Sequence, residues 1–183
     1  DRQDKKMLMQ LGPIRHRYTA MERAQKQGIG HYIYPRFTRL VDLNPSEGKN
    51  PSDYYRLIMQ SELRNMQVVS DTIDCVKRGR TPVIMTKYKE HAQKLYDMLQ
   101  RAADHVFLLQ GGKSLKERSA IREQMAAVRA DESIILVAIG QYVGEGFNYP
   151  RLDTMLLAMP ISLEGNVEQH AGRLNRDYEG KKD

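Results

Sequence analysis

The stretch with the most chemistry in it is Gln169-His170-Ala171-Gly172-Arg173-Leu174-Asn175-Arg176. On a helix of about 3.6 residues per turn, Val167, Ala171 and Leu174 share one face, and Gln169, Gly172, Arg173 and Arg176 share the opposite one. The first face is apolar and can dock on a sheet, which leaves two guanidiniums projecting together. Gly172 opens a gap between them at a cost of roughly 1 kcal/mol against Ala, which a merely solvated helix has no reason to bear. Arginine's planar, permanently charged fork suits phosphate. A solvated charged face is compatible with the same periodicity. His170 has Leu174 four residues on and no carboxylate or histidine there, so a hydrogen-bonding role is expected and no metal site is.

Three further segments could handle phosphate. They are Thr86-Lys87-Tyr88-Lys89-Glu90, Gln110-Gly111-Gly112-Lys113-Ser114, and the loop from Ile139 through Gly140, Gly144, Glu145 and Gly146 to Asn148. Glycines let a phosphate approach backbone N–H groups, and helix N-termini favour anions. Each segment follows an apolar run that reads as a strand, and ligands of open parallel sheets bind beyond the carboxyl ends of the strands. Taken singly, each is also an ordinary turn.

The elements needed to position these groups are legible. Residues 53–78 read as one long or two short helices, with Leu63, Met66, Val69, Ile73 and Val76 near the helical period and Gly79 as the stop. A strand is expected at 82–86, a helix at 88–103 with Tyr88, Ala92, Leu95, Leu99 and Ala102 on one stripe, and a strand at 105–109. Ser114 and Glu117 form a capping-box pattern that opens a helix with Ile121, Met125 and Val128 inward. Strands at 133–138 and 153–159 follow, and a last helix starts near Asn166. Strand–helix alternation of this kind predicts an α/β fold with a parallel sheet covered by helices on both faces.

Residues 1–50 differ in character. They are rich in Lys, Arg and Gln, and His31–Leu40 reads as a strand that Pro35 pushes to an edge. Tyr32, Tyr34 and Phe37, with Arg36 and Arg39 among them, could stack bases; an edge strand packed on the domain is the preferred reading. Residues 44–53 read as a turn-rich linker. The expected division is therefore 1–50 and 51–183. A chain of 183 residues can bury a full core. Its net charge of +6 favours acidic partners, phosphate first among them. Cys75 is the only cysteine, so no disulfide framework can form within the chain; it reads as a small buried hydrophobe in a cytoplasmic, reducing setting. No apolar run reaches the roughly 18 residues of a membrane span. The chain begins with Asp rather than Met and reads as a piece of a longer protein.

Gln169–Arg176 resembles motif VI, Gln-x-x-Gly-Arg-x-x-Arg, of superfamily 2 helicases. Residues 135–160 look like motif V of the DEAD/DEAH-box, restriction-subunit-like branch, and residues 80–99 resemble motif IV with its helix. Leu108–Ile121 looks like the next block, with its Gly-Gly turn, and Leu11–Tyr18 resembles the segment that leaves the first motor lobe. The resemblance spans most of residues 7–178, and motifs V and VI in this order are its specific part.

It implies the C-terminal RecA-like lobe of an ATP-dependent helicase or translocase, with residues 1–50 as the tail of the first lobe and the interlobe connector. In that family ATP and Mg2+ lie in the interlobe cleft, held mainly by the first lobe. This sequence contains no G-x-x-x-x-G-K-[S/T] loop and no Asp-Glu-x-His or Asp-Glu-Ala-Asp box, so the chain alone is expected to be inactive. The resemblance gives Arg176, and secondarily Arg173, as catalytic groups at the γ-phosphate. It gives Gln169, Gly144, Glu145, Gly146 and Asn148 as nucleotide-side residues. Thr86, Lys87, Gly111, Gly112, Lys113, Ile139 and Gly140 line the DNA or RNA track. Ile139 stands where the family's motif V has Thr, and Asn148 where it has Asp. These departures are consistent with an alternative, a non-catalytic nucleic-acid-binding or docking module with the same architecture, and equally with a weakened motor or simple family variation. The motor part of a restriction enzyme is a third possibility.

Overall fold

A computed structural model describes residues 32–38, 50–111, 115–139 and 149–160. Contacts divide the chain after Tyr32, and every described helix and strand falls in the second unit, Ile33–Asp183.

The first described helix, α1 (Pro51–Gln60), starts inside the segment that composition assigns to a linker. Asn50 caps it. Its side chain accepts from the backbone N–H groups of Ser52 and Asp53, at 2.9 and 3.2 Å, and the Asp53 carboxylate returns a bond to the Asn50 N–H. Proline at the first helical position has no N–H to leave unsatisfied. Asn-Pro-Ser-Asp is thus a helix start, and its turn-like composition is that of the cap. After Ser61 the chain re-enters a helix, α2 (Glu62–Lys77), so the two-helix reading of 53–78 holds. Gly79, at φ 73°, ends it. Its N–H donates to Val76 O and that of Arg80 to Cys75 O, the paired bonds of a left-handed glycine cap.

The other elements alternate: β1 (Pro82–Thr86), α3 (Lys89–Leu99), β2 (His105–Leu109), α4 (Leu115–Ala127), β3 (Ile134–Ile139) and β4 (Thr154–Leu157). The four strands form one parallel sheet in the order β2-β3-β1-β4. β1 and β3 lie at the centre and are buried along their whole length, as continuous apolar runs must be when both faces are covered.

Alternate residues feed two cores. On one face Ile84, Ile135, Val137 and Ile139 pack with Ala92, Leu95 and Leu99 of α3 and with Val68, Val69, Ile73 and Val76 of α2. On the other, Val83, Met85, Leu136 and Ala138 pack with Ile121 and Met125 of α4, with Leu152 and with Tyr149. The sheet is therefore covered by helices on both sides, as expected.

Three expectations need correction. Leu63 and Met66 do not face the core: they are 74% and 60% exposed, and α2 turns Asn65 and Thr72 inward with Val68 and Val69. Residues 32–38 form no strand. They carry no regular structure and are exposed, with Ile33 and Phe37 more than nine-tenths accessible. Arg36 holds the segment to α2 through a two-pronged pair with Asp71, at 2.9 and 2.7 Å. Cys75 is half-buried rather than sealed in the core; burial, with Asp153 and Asp71 behind it, raises its thiol pKa and keeps it protonated.

Candidate functional site

Parallel strands bring all four carboxyl ends to one edge of the sheet. The opposite edge is closed by side chains. Ser133 donates from its N–H and its hydroxyl to Asp104, each at 2.7 Å. Asp153 accepts from the Thr81 N–H, and Arg151 donates to the carbonyls of Arg129, Ala130 and Glu132. The bonds from Ser133, together with the nearby charge of His105, hold the Asp104 carboxyl below its ordinary pKa. Side-chain bonds thus tie the connections of the amino edge together, and the turns that follow the strands lie at the carboxyl edge.

On that carboxyl edge lie Thr86 and Ile139, paired across the centre of the sheet at the ends of β1 and β3. Lys87 follows β1, and Gly111 lies two residues beyond β2. These four residues, named from the sequence as the nucleic-acid track, therefore share one edge. Between them they offer one ammonium and no carboxylate, which suits a phosphate better than a divalent cation. Thr86 and Ile139 are buried, and Lys87 is exposed. Gly112, Lys113, Gly140, Gly144, Glu145, Gly146, Asn148, Gln169, Arg173 and Arg176 lie outside the described residues, as do Ser114, His170 and the expected terminal helix. Among the described residues no group of three or more His, Cys, Asp or Glu could hold a metal ion. Among them, too, no helix is long and apolar enough to cross a membrane.

The Thr86 side chain is part of a buried relay that sequence reasoning missed. His91 Nδ1 lies 2.8 Å from Thr86 Oγ1, and His91 Nε2 lies 2.9 Å from Asn65 Oδ1. Asn65 Nδ2 in turn donates to the Met59 carbonyl in the last turn of α1, at 2.8 Å. That last bond makes the Asn65 oxygen the acceptor, so Nε2 of His91 carries the proton and Nδ1 accepts from the Thr86 hydroxyl. All three side chains are at least 95% buried. Burial, helped by the charges of Arg64 and Lys94, pushes the His91 pKa down to about 4, so the imidazole is neutral. The one signal in the sequence is that Asn65 and His91 occupy helix positions in register with buried apolar residues, where a polar side chain needs a partner.

Beside the relay, Lys87 Nζ sits 4.3 Å from the centre of the Tyr55 ring and 5.8 Å from that of Tyr88. The two rings are tilted at 59° with centroids 5.9 Å apart. An open groove along α3, lined by Lys89, Glu90, Gln93, Lys94, Asp97, Met98 and Gln110, runs beside this edge. Within it the buried Gln110 Oε1 has no hydrogen-bond partner.

Comparison with known proteins agrees with this architecture. No family model matches the chain. It is 27% identical over 154 residues to the transcript termination protein A18 of fowlpox virus, covering 79% of this chain and 32% of that protein. It is 25% identical over 134 residues to the A18 protein of myxoma virus, covering 70% and 27%. The chain thus spans about a third or less of the length of these curated relatives. Among solved structures it resembles T4 UvsW, with a TM-score of 0.57 at 19% identity over 70% of this chain and 25% of that one. It also resembles the C-terminal part of the Fun30 ATPase domain, with a TM-score of 0.53 at 16% identity over 69% and 39%. At these identities the structural likeness shows the fold alone, a RecA-like parallel α/β lobe.

Proposed function

We propose that the chain is the second lobe of an ATP-dependent helicase or translocase acting on DNA or RNA, with residues 1–50 as the tail of the first lobe and the interlobe connector. The observation that carries this reading is the all-parallel sheet whose open carboxyl edge gathers Thr86, Lys87, Gly111 and Ile139. The sequence that continues from this edge contains Gly144-Glu145-Gly146 and the paired arginines.

MgATP, held mainly by the first lobe, supplies the transferable phosphoryl group. This chain contributes Arg176 and Arg173, which offset the charge that builds on the γ-phosphate oxygens during transfer. A well-placed arginine is worth about 10³ to 10⁵ in rate. Gln169, Gly144, Glu145, Gly146 and Asn148 couple nucleotide to strand. Thr86, Lys87, Gly111, Gly112, Lys113, Ile139 and Gly140 follow the nucleic acid. Closure of the lobes engages the arginines, and hydrolysis releases them.

Ile139 and Asn148 are also consistent with the second reading, a docking or nucleic-acid-binding module that keeps the architecture without turnover. Comparing the isolated chain with its full-length parent tests the division of labour. The parent should hydrolyse ATP faster when single strands are added, and the isolated chain should show no turnover. ATP hydrolysis by the isolated chain, or none by the parent, defeats the motor reading.

A further inference from the structure

Tyr55, Lys87 and Tyr88 come from two elements. Tyr55 lies on α1, while Lys87 and Tyr88 form the turn between β1 and α3. Lys87 is exposed and both rings are half-buried, so the cluster opens to solvent at the carboxyl edge. Its two halves are tied together beneath the surface. The Met59 carbonyl, one turn beyond Tyr55, is bound by Asn65; Asn65 is bound by His91, and His91 by Thr86, the residue before Lys87. A surface lysine that drifted onto a ring by chance would not need a fully buried polar chain joining the two backbones that carry the cluster.

We propose that Tyr55, Tyr88 and Lys87 form a one-nucleotide subsite for a single strand, with a base stacking on the Tyr55 ring and the adjoining phosphate taken by Lys87. The inference rests on the nucleic-acid reading above and adds to it two aromatic side chains that neither the motifs nor the comparisons assign. Without a strand, the Lys87 ammonium covers the Tyr55 ring. A phosphate draws the ammonium away and frees that ring face for the base. The exchange is favourable because an exposed cation over a ring contributes less than a stacked base does. Stacking is tolerant of sequence, so the subsite holds a strand without reading it. Asn65, His91 and Thr86 act as positioning residues that fix the distance between α1 and the turn.

The test uses the full-length parent, single-stranded DNA and RNA oligonucleotides of mixed sequence, and an abasic DNA strand of the same length. Affinity is read by fluorescence anisotropy across a salt series. Tyr55→Ala should weaken binding to base-bearing strands by about tenfold and leave abasic binding unchanged, while Tyr55→Phe binds as wild type. Lys87→Ala should weaken both kinds of strand and lower the salt slope by about 0.7. Equal losses on DNA and RNA support the shared chemistry of base ring and phosphate, and a loss confined to RNA overturns it in favour of a hydroxyl contact. If Tyr55→Ala weakens abasic and base-bearing strands alike, or weakens neither while the wild type binds, the rings serve only packing. The subsite then fails and the motor reading stands. If the wild type binds no strand, both fail.

Discussion

At the scale of single residues, the polar chain under the sheet edge makes the sharpest demand. His91 is neutral and buried, with a pKa of about 4 against an ordinary 6.5. In the unfolded chain the imidazole takes up a proton below about pH 6.5, and in the folded chain it does not until about pH 4. The unfolded state therefore binds more protons in that window, and stability falls as pH falls through it. Above the upper limit the contribution is fully present. A depression of this size corresponds to roughly 3 kcal/mol. Burial is the main cause of the depression, and the charges of Arg64 and Lys94 add to it. Urea unfolding of wild type and His91→Gln at a series of pH values checks this. The wild type should lose stability between pH 6.5 and 4, and the variant should lack that component. At neutral pH His91→Ala should cost several kcal/mol, because Thr86 and Asn65 are then left buried without partners. The helix positions of Asn65 and His91 hint at burial, but their pairing is not legible in the sequence, since they stand 26 residues apart and meet only when α2 and α3 pack on the same face.

At the scale of elements, strands were easier to read than helix faces. β1 and β3 are short, uninterrupted apolar runs, a pattern with few alternatives once strand–helix alternation is seen. The apolar period of α2 runs through Leu63 and Met66, whereas the helix turns Asn65 and Thr72 inward with Val68 and Val69. Apolar periodicity cannot reveal a face whose buried members are partly polar. Helix α1 begins at Pro51, two residues before the start expected at 53, for a related reason: Asn, Pro, Ser and Asp are both turn formers and the residues of a helix cap. Asn50→Ala should therefore cost about 1 kcal/mol, while Asn50→Asp, which keeps an acceptor, should cost little. Hydrogen exchange at Ser52 and Asp53, whose amides the Asn50 side chain binds, should quicken in the first variant and not in the second. Because α1 carries Tyr55, the same loss should loosen the aromatic cluster.

At the scale of the whole molecule, the fold was legible because topology constrains it so tightly. A parallel sheet with helices on both faces puts every strand's carboxyl end on one edge, and the sequence already placed its glycine- and lysine-bearing turns there. The proposed function comes from the resemblance to motifs V and VI, and Arg173 and Arg176 of the second of these carry the proposed chemistry. The account stands most directly on Arg176→Ala in the full-length parent, with ATP turnover and single-strand affinity measured side by side. It predicts that hydrolysis falls about a thousandfold or more while the strand is bound as before. Turnover within a few-fold of wild type in a folded Arg176→Ala protein would contradict it.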